Sequence, residues 1–387
     1  MTKHIYMITP EHNAGQSLIA LSLVQHLKQH FPRVGLYRPI TSDDPTDPLY
    51  TSEIKSISDF LNFSQSQRDQ LSGISLEMAQ NLLKTQKNQT LHAKIIEHYQ
   101  MIAAEYDVII SESCHLGLYH SSIELDLHAN IANNLNAEIL LVINGHQKTV
   151  HEIETQSILT LRAYAHAKCR IMGLIVNRAL EIQMPALKSN LSNHFKNKSY
   201  LIETISEKNI ISKPNMQDIK HTLNAHIIWG HDHLNRVAQQ TLIAAKHPGP
   251  FLSANYSRDS TLILVPGDRA DMLMSCILAD QSTHYPNIAG IVLTTGIMPT
   301  KMVQKILEGI NIQFPILSVT GNTFEVATQL HAQTDSNAIL HADKIEHAMT
   351  HIDPVWHHPA LMQHIKAIQT QRLTPAMLEC NLKKRAA

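Results

Sequence analysis

Short apolar runs alternate with helical stretches over the first part of the chain. Such continuous runs are typical of strands buried on both faces of a sheet. They predict strands at Ile5–Thr9, Val34–Arg38, Val108–Glu112, Ile139–Ile143 and Ile171–Asn177, with a short one at His226–Ile228. The helical stretches between them include Leu91–Glu105 and Ile123–Leu135. This alternation predicts a parallel sheet with right-handed crossovers.

The alternation breaks at His247-Pro248-Gly249-Pro250, because two prolines around a glycine interrupt regular structure. It then restarts in a smaller unit. There the pattern predicts strands at Thr261–Val265, Ile288–Thr294 and Phe314–Val319, and helices at Ala270–Asp280, after Pro299, and from an Asn322 cap to Leu330. The fold class is therefore α/β: a parallel-sheet domain over residues 1–247, a smaller α/β domain over 251–352, and a helical tail over 353–387.

The composition is that of an ordinary globular protein, with 43% hydrophobic residues, 17% charged residues and a net charge of −1. This balance does not favour a nucleic acid or a membrane as a partner. No apolar run approaches the roughly 18 residues that span a bilayer, and Lys3-His4-Ile5 enters a strand directly, so we expect no signal peptide. The four cysteines form no C-x-x-C pair, which predicts reduced thiols in a cytoplasmic protein.

Histidine is abundant, with 26 residues. Local pairs occur at His231/His233 and His357/His358. Neither pair lies near a cysteine or a third ligand at metal-site spacing along the chain. We therefore predict no metal site.

The segment Ile8–Ser17, between the first strand and the first helix, resembles a nucleotide-binding P-loop. Gly15 and Ser17 fit the P-loop pattern, but Pro10 stands at the first glycine and Gln16 at the lysine. The backbone N–H groups of such a loop survive side-chain changes and still attract an anion. A missing ammonium group near 4 Å from a phosphate removes about 4 kcal/mol of attraction at a surface-like dielectric. The loop is therefore predicted to be non-hydrolytic, with weak nucleotide or anion binding left open.

Two more charged residues end strands at the same predicted sheet edge. Glu112 stands where P-loop folds place an acid that holds Mg²⁺ or polarises water, although a polar strand end gives the same pattern. Arg38 ends the second strand and is followed by Asp43 and Asp44, which ordinary loop charge explains equally well. The predicted nucleotide- or anion-binding residues are Asn13, Ala14, Gly15, Gln16, Ser17, Arg38 and Glu112. A nucleotide with Mg²⁺ is the cofactor that this edge could hold.

The second domain has a comparable cluster of loops at the predicted strand ends. Gly267 allows a tight turn there, Asp268 can cap the following helix, and Arg269 can bind an anion or pair with Asp271. Helix capping explains most of this pattern as well as a ligand does. The predicted effector pocket consists of Gly267, Asp268, Arg269, Asp271, Thr294, Thr295 and Gly296.

These motifs together resemble the N-terminal regulatory half of long-form bacterial phosphate acetyltransferase. The first domain is similar to the family's dethiobiotin-synthetase-like P-loop domain through Ile8–Leu21, Gly35–Ile40, Tyr106–Glu112, Leu135–Ile139 and Gly173–Asn177. The second resembles its DRTGG domain through Gly267–Asp271, Ile291–Gly296 and Asn322–Glu325. The segment Arg372–Met377 resembles the linker before the family's catalytic domain.

The resemblance implies a regulatory and oligomerisation region that is not itself catalytic. In the family, the catalytic domain exchanges acetyl between CoA and phosphate; we expect it outside this sequence, either in one longer polypeptide or as a partner in trans. A homo-oligomer and a small anionic metabolite as effector are further expectations. Two alternatives stay open, which are a stand-alone ATP-dependent enzyme of the dethiobiotin-synthetase type and a scaffold that binds no ligand.

Overall fold

The computed structural model describes residues 2–11, 13–41, 59–63, 67, 72–116, 121–208, 211, 213–255, 260–335, 342–368 and 373–386. The chain forms two compact units. The first contains Met1–Glu207 together with Leu340–Ala387, and the second contains Lys208–Ile339. No helix among the described residues is long and apolar enough to cross a bilayer.

Seven parallel strands form the sheet in the described part of the first unit. Their spatial order is β3 (Ser72–Ser75), β2 (Val34–Thr41), β4 (Val108–Glu112), β1 (Lys3–Ile8), β5 (Glu138–Asn144), β6 (Arg170–Ala179) and β7 (Leu201–Ser206). The central strand β1 pairs Met7 with Glu112 of β4 and Ile8 with Leu141 of β5. Since parallel strands end at one edge, the loops after β1, β4, β5 and β6 meet there, where such sheets bind ligands.

Helices cover this sheet, as expected for parallel strands joined by crossovers. They are α1 (Gln16–Lys28), α2 (Leu76–Lys84), α3 (Asn88–Ala103), α4 (Ser121–Asn134), α5 (Val150–His166) and α6 (Met184–His194). Helix α5 begins with a capping box, because the Thr149 hydroxyl accepts from the Glu152 N–H (3.3 Å) and the Glu152 carboxylate accepts from the Thr149 N–H (2.8 Å).

The second unit contains a mixed five-stranded sheet among its described residues. The spatial order is β8 (His226–Trp229), β12 (Ile316–Ser318), β11 (Ile288–Thr294), β10 (Thr261–Pro266) and β9 (Gln240–Ile243), with β8 antiparallel to β12. Its helices are α7 (Met216–Thr222), α8 (Pro248–Asn255), α9 (Ala270–Asp280), α10 (Lys301–Glu308) and α11 (Thr323–Asp335).

The C-terminal tail is helical and belongs to the first unit. It contains α12 (Ala342–Ile352), a 3-10 turn at Asp353–His357, α13 (Pro359–Ala367) and α14 (Pro375–Ala386). Trp356 is only 1% exposed, and its indole N–H donates to the Ser22 hydroxyl of α1 at 2.9 Å. His351 donates to the Ser206 carbonyl of β7 at 2.8 Å. These contacts fasten the tail to the helix and strand that it covers.

The predicted fold class is confirmed: a parallel α/β sheet, a smaller α/β sheet and a helical tail. The strand predicted at His226–Ile228 after those of the first domain is present, but it lies in the second sheet beside β12. The compact units also differ from the predicted limits, since residues 208–247 contribute α7, β8 and β9 to the second unit. As limits of independently folding domains, 1–247, 251–352 and 353–387 stay a prediction.

Candidate anion-binding site

The loop of residues 9–15, of which residue 12 lies outside the described part, joins β1 to α1. Asn13 and Gly15 both have left-handed backbones, with φ of 56° and 72°. A Cβ on Gly15 would lie 2.5 Å from the Asn177 amide nitrogen, so both conformation and space require glycine here. Among the described residues no side chain caps α1, and its first turn contains no acid. Its first N–H groups and the positive end of its dipole are therefore directed at the loop.

Gln16, at the position of the P-loop lysine, is held by three hydrogen bonds. Its amide nitrogen donates to the carbonyls of Met7 (3.0 Å) and Ser113 (3.4 Å). Its amide oxygen accepts from the Ser113 hydroxyl (3.2 Å), and the residue is only 8% exposed. The side chain thus joins β1, α1 and the segment after β4. It is neutral and committed to the protein's own backbone.

Three carboxylates around the loop are each paired with a basic side chain. The pairs are Glu11 with Lys148 (2.5 Å), Glu112 with Arg38 (2.6 Å) and Glu207 with Arg178 (2.9 Å). Each pair places a negative charge beside a positive one, so their charges nearly cancel at the loop. An active P-loop instead presents a lysine charge to the phosphates.

Glu112 and Arg38, both predicted at this edge, are brought together by the pairing of β2 with β4. Glu112 is only 3% exposed, and its Oε2 accepts from the Arg38 guanidinium. Its Oε1 is also buried and has no hydrogen-bond partner among the described residues. A buried carboxylate oxygen without a partner is costly unless a ligand, a water or a cation satisfies it. Asp43 and Asp44, noted beside Arg38 in the sequence, lie outside the described residues.

The end of β6 holds the loop from the other side. The Asn177 amide donates to the Ala14 carbonyl at 2.7 Å, and the Arg178 guanidinium donates to the Asn13 carbonyl at 2.9 Å. Arg178 itself has a left-handed backbone, with φ of 60°. Such a conformation is strained for arginine and persists only where surrounding contacts hold it.

The Glu207 carboxylate helps to hold Arg178 against the loop, because it accepts hydrogen bonds from both Arg178 and His146. Burial alone would raise the pKa of Glu207, but the hydrogen bonds from Arg178 and His146 outweigh it and hold the pKa below its usual range. Its charge is thereby fixed beside the loop.

Sequence reasoning missed Lys148 after β5, Asn177 and Arg178 near the end of β6, and Glu207 after β7. The Gln156 amide donates to Glu11 at 2.6 Å, so α5 also contributes to holding that carboxylate. A polar Asn-Arg pair at the end of a predicted apolar strand was the available signal for Asn177 and Arg178.

The predicted pocket of the second unit is partly assembled. The Gly267 N–H donates to the Thr294 carbonyl (3.0 Å), and a Cβ on Gly267 would lie 1.8 Å from the Ile297 carbonyl. The N–H groups of Thr295 and Gly296 donate to the carbonyls of residues 321 and 319, and the Thr294 and Thr323 hydroxyls are 2.7 Å apart. The polar groups of this cluster therefore mostly form hydrogen bonds with one another.

Arg269 forms two hydrogen bonds of 2.8 Å with the Asp271 carboxylate. Of the two alternatives for Arg269, the structure has the pair with Asp271. This contact also holds the pKa of Asp271 below its usual value. Asp268 is exposed, and α9 begins after Arg269 without a side-chain cap, so the expected cap by Asp268 is wrong.

The AAA domain family matches residues 3–231, which is more than half of the chain. The chain belongs to this AAA domain family. The DRTGG domain family matches residues 218–333, which contain the whole second sheet.

Curated relatives are phosphate acetyltransferases, which confirms the resemblance read from the motifs. The enzyme of Nitratidesulfovibrio vulgaris is 28% identical over 399 residues, covering 100% of this chain and 55% of the relative. That of Synechocystis sp. is 26% identical, covering 99% of this chain and 54% of the relative. That of Escherichia coli is 21% identical, covering 86% and 48%. The chain spans about half the length of the curated relatives it matches.

Two solved structures are similar to parts of this chain. The septum site-determining protein MinD of Pyrococcus horikoshii, complexed with Mg-ADP, is 12% identical with a TM-score of 0.28, covering 55% of this chain and 84% of that chain. The CBS and DRTGG domains of the Clostridium perfringens pyrophosphatase regulatory region, complexed with diadenosine tetraphosphate, are 13% identical with a TM-score of 0.27. The match covers 36% of this chain and 56% of the pyrophosphatase chain.

Proposed function

We propose that this chain is the regulatory part of a phosphate acetyltransferase and that its loop between β1 and α1 binds an anion without cleaving it. The proposal depends on the identity and the hydrogen bonds of Gln16. Its neutral amide replaces the lysine and is bound to Met7 and Ser113. The loop offers backbone N–H groups to an anion, but no cation at this position stabilises a transferring phosphoryl group.

Glu11 limits the affinity of such a site. Its carboxylate lies in the loop and already binds Lys148. An incoming phosphate group has to displace that carboxylate from Lys148 or bind to N–H groups alone. Either route weakens binding, as suits a sensor that must release its ligand.

The residues fit an anion better than a nucleotide with Mg²⁺. Ser17 and Glu112 are the oxygen donors at the positions where a P-loop protein holds the ion. The unsatisfied Oε1 of Glu112 suits a cation, whereas the Arg38 guanidinium 2.6 Å from Oε2 repels one. We therefore assign no catalytic step to this edge.

The unsatisfied Oε1 of Glu112 favours a second candidate, an ATP-dependent enzyme of the dethiobiotin-synthetase type. This candidate requires ATP turnover with Mg²⁺ that is lost in Glu112→Gln and in Ser17→Ala. The third reading, a scaffold without a ligand, requires that no anion raises the melting temperature.

Turnover assays separate these readings. We expect the purified chain to form no acetyl phosphate from acetyl-CoA and phosphate, and to release no ADP from ATP with Mg²⁺. Acetyl phosphate formation would show that the chain is itself catalytic. ADP release that disappears in Glu112→Gln would establish the ATP-dependent enzyme instead.

Calorimetric titration with pyrophosphate tests the anion site directly. We expect Glu11→Gln to bind pyrophosphate about fivefold more tightly than the wild type, since a part-exposed ion pair is worth up to about 1 kcal/mol. Lys148→Met should bind more weakly. Glu154→Gln, on α5 and hydrogen-bonded to Asn190, is the matched control with unchanged affinity. Equal affinities in all four proteins would contradict a site at this loop.

The proposed partner is a catalytic domain that acts on acetyl-CoA and phosphate, in the same polypeptide or in trans. Coupling between an effector site and such a domain is usually worth ~1–3 kcal/mol. The proposal includes self-association into a homo-oligomer, which sedimentation of the purified chain measures. The loop cluster around Gly267, with Arg269 bound to Asp271, stays the proposed second effector pocket.

A further inference from the structure

A histidine–aspartate–histidine cluster lies where the tail packs on α1, at the opposite end of that helix from the anion-binding loop. His26 comes from the last turns of α1, and Asp353 and His357 come from the 3-10 turn of the tail. One ligand atom from each of the three lies within 4.8 Å of the others. Together they offer two imidazole nitrogens and one carboxylate oxygen.

The distances are compatible with ligands that share one ion, although the shorter one also fits a hydrogen bond. His26 Nδ1 lies 3.6 Å from Asp353 Oδ1, which is too long for a hydrogen bond. His357 Nε2 lies 3.2 Å from Asp353 Oδ2. Ligands bound tetrahedrally to zinc at 2.0–2.1 Å are separated by about 3.3 Å. The two separations, which involve different oxygens of Asp353, lie on either side of that value, and one ligand atom of each residue lies within 4.8 Å of the others.

His26 provides the second, independent observation. The residue is only 5% exposed, and its Nδ1 has no hydrogen-bond partner within the described part of the chain. A buried nitrogen without a partner costs free energy unless something satisfies it. This nitrogen faces the Asp353 carboxylate, so an ion between them would satisfy both.

We propose that His26, Asp353 and His357 bind a divalent metal ion of the zinc class. Imidazole and carboxylate groups are ligands that Zn²⁺ accepts. A water molecule supplies the fourth ligand, and His30, whose ring centre is 5.5 Å from that of His26, lies beside the site. His357 is exposed, so the ion reaches the site from solvent.

The site is supported by the contact that fastens the tail. Ser22 and His26 are four residues apart and lie on one face of α1. The indole of Trp356, the residue before His357, donates to the Ser22 hydroxyl. The Trp356–Ser22 contact thereby sets the ligands from the tail opposite His26. A bound ion would join the tail to α1 and resist their separation.

Sequence reasoning predicted no metal site. His26 and the Asp353–His357 turn are separated by most of the chain, so linear spacing along the chain does not join them. The D-x-x-x-H spacing of Asp353 and His357 was the available signal.

Equilibrium dialysis of the intact chain against Zn²⁺, followed by elemental analysis, tests the proposal. We expect one tightly bound ion per chain. Asp353→Asn and His357→Gln should weaken that binding at least 10- to 100-fold, which is the effect typical even of outer-shell partners. Asp353 is part-exposed and His357 is exposed, so we expect both variants to fold. Substituting Co²⁺ should give the visible absorption of a four- or five-coordinate site, which the two variants lose.

His358→Gln is the matched control, because it removes an adjacent exposed histidine that the proposal does not use. The double variant His231→Gln/His233→Gln controls for weak binding by histidine pairs elsewhere. If the controls lose as much affinity as His357→Gln, or if Asp353→Asn binds as tightly as the wild type, the ion is only adventitiously bound and the proposal is wrong.

Amide hydrogen exchange gives a readout that binding alone does not. Zn²⁺ should slow exchange in residues 342–368 of the wild type and leave it unchanged in Asp353→Asn. Stoichiometric binding without that protection would contradict the fastening role of the ion.

Discussion

At the scale of single residues, Gln16 decides what the loop between β1 and α1 offers a ligand. A lysine at this position would extend a charge toward a phosphate, whereas the amide turns back to Met7 and Ser113. The Gln16 amide therefore lacks the charge of the lysine that it replaces, and its hydrogen bonds hold the loop to β1 and to the segment after β4.

Replacing Gln16 tests that structural role. Gln16→Ala removes three hydrogen bonds in a buried setting, so we expect the free energy of unfolding to fall by about 1–3 kcal/mol. Gln25→Ala, an exposed position on the same helix, should change it by less than about 0.5 kcal/mol. Urea unfolding of both variants measures the difference. Equal small changes would mean that the amide contributes little.

At the scale of elements, a buried histidine joins three segments of the first unit. His128 of α4 donates from Nε2 to the Cys114 carbonyl after β4 (3.1 Å) and accepts at Nδ1 from the Tyr6 hydroxyl of β1 (2.7 Å). Burial lowers the pKa of His128 to about 4. Both contacts require the neutral ring with its proton on Nε2.

This low pKa predicts acid sensitivity. The unfolded imidazole titrates near 6.5, so between pH 6.5 and about 4 the unfolded state binds more protons and stability falls as pH falls. We expect His128 to account for a loss of about 2 kcal/mol between pH 7 and pH 5. In urea unfolding, the stability of His128→Gln should fall less between pH 7 and pH 5 than that of the wild type. The exposed control His166→Gln should lose as much stability as the wild type. A wild-type pH dependence in His128→Gln would contradict the assignment.

The turn between β10 and α9 depends on a glycine for space. Gly267→Ala would place a methyl group against the Ile297 carbonyl, so we expect the second unit to lose more than about 2 kcal/mol of stability. Gly249→Ala has nothing within 4 Å of the added carbon and should be neutral or stabilising by up to about 1 kcal/mol. Thermal unfolding compares the two. Similar melting temperatures would show that the turn adjusts without cost.

Some elements were predictable and others were not, for reasons visible in their residues. Val108–Glu112, Ala270–Asp280 and Ile288–Thr294 match the structure residue for residue, because continuous apolar runs or a clear helical pattern mark them. Strand β7 reads L-I-E-T-I-S, and its buried Glu203 is paired with Lys188 rather than replaced by an apolar residue. No pattern in the strand alone reveals that pairing.

The candidate site divides in the same way. The loop and the acid at the end of β4 follow from local motifs, so Gly15, Gln16 and Glu112 could be named in advance. Lys148 and Arg178 reach the loop only because the sheet order places β5 beside β1 and β6 beside β5. Sequence spacing does not contain that order, so their contribution could not be predicted.

At the scale of the whole molecule, each compact unit contains one of the chain's two tryptophans. Trp356 is buried in the first unit, and Trp229 is part-buried on β8 in the second. Trp229→Phe therefore leaves a fluorophore that reports only the first unit, and Trp356→Phe leaves one that reports only the second.

These reporters give a further prediction. In the Trp229→Phe background, Leu361→Ala removes a fully buried side chain of the tail and should destabilise the first unit by about 2–5 kcal/mol. In the Trp356→Phe background, the same change should leave the denaturation midpoint of Trp229 unaltered. Urea titrations followed by fluorescence measure both midpoints. Equal shifts in both backgrounds would mean that the two units unfold as one cooperative system.

The hydrogen bond between Trp356 and Ser22 spans 334 positions of the chain. During synthesis, the indole that covers α1 is made only after the second unit has been translated. Until then, part of the surface of α1 has to remain exposed, and closing such a long loop costs conformational entropy. The first unit is therefore completed only after the second unit has been translated.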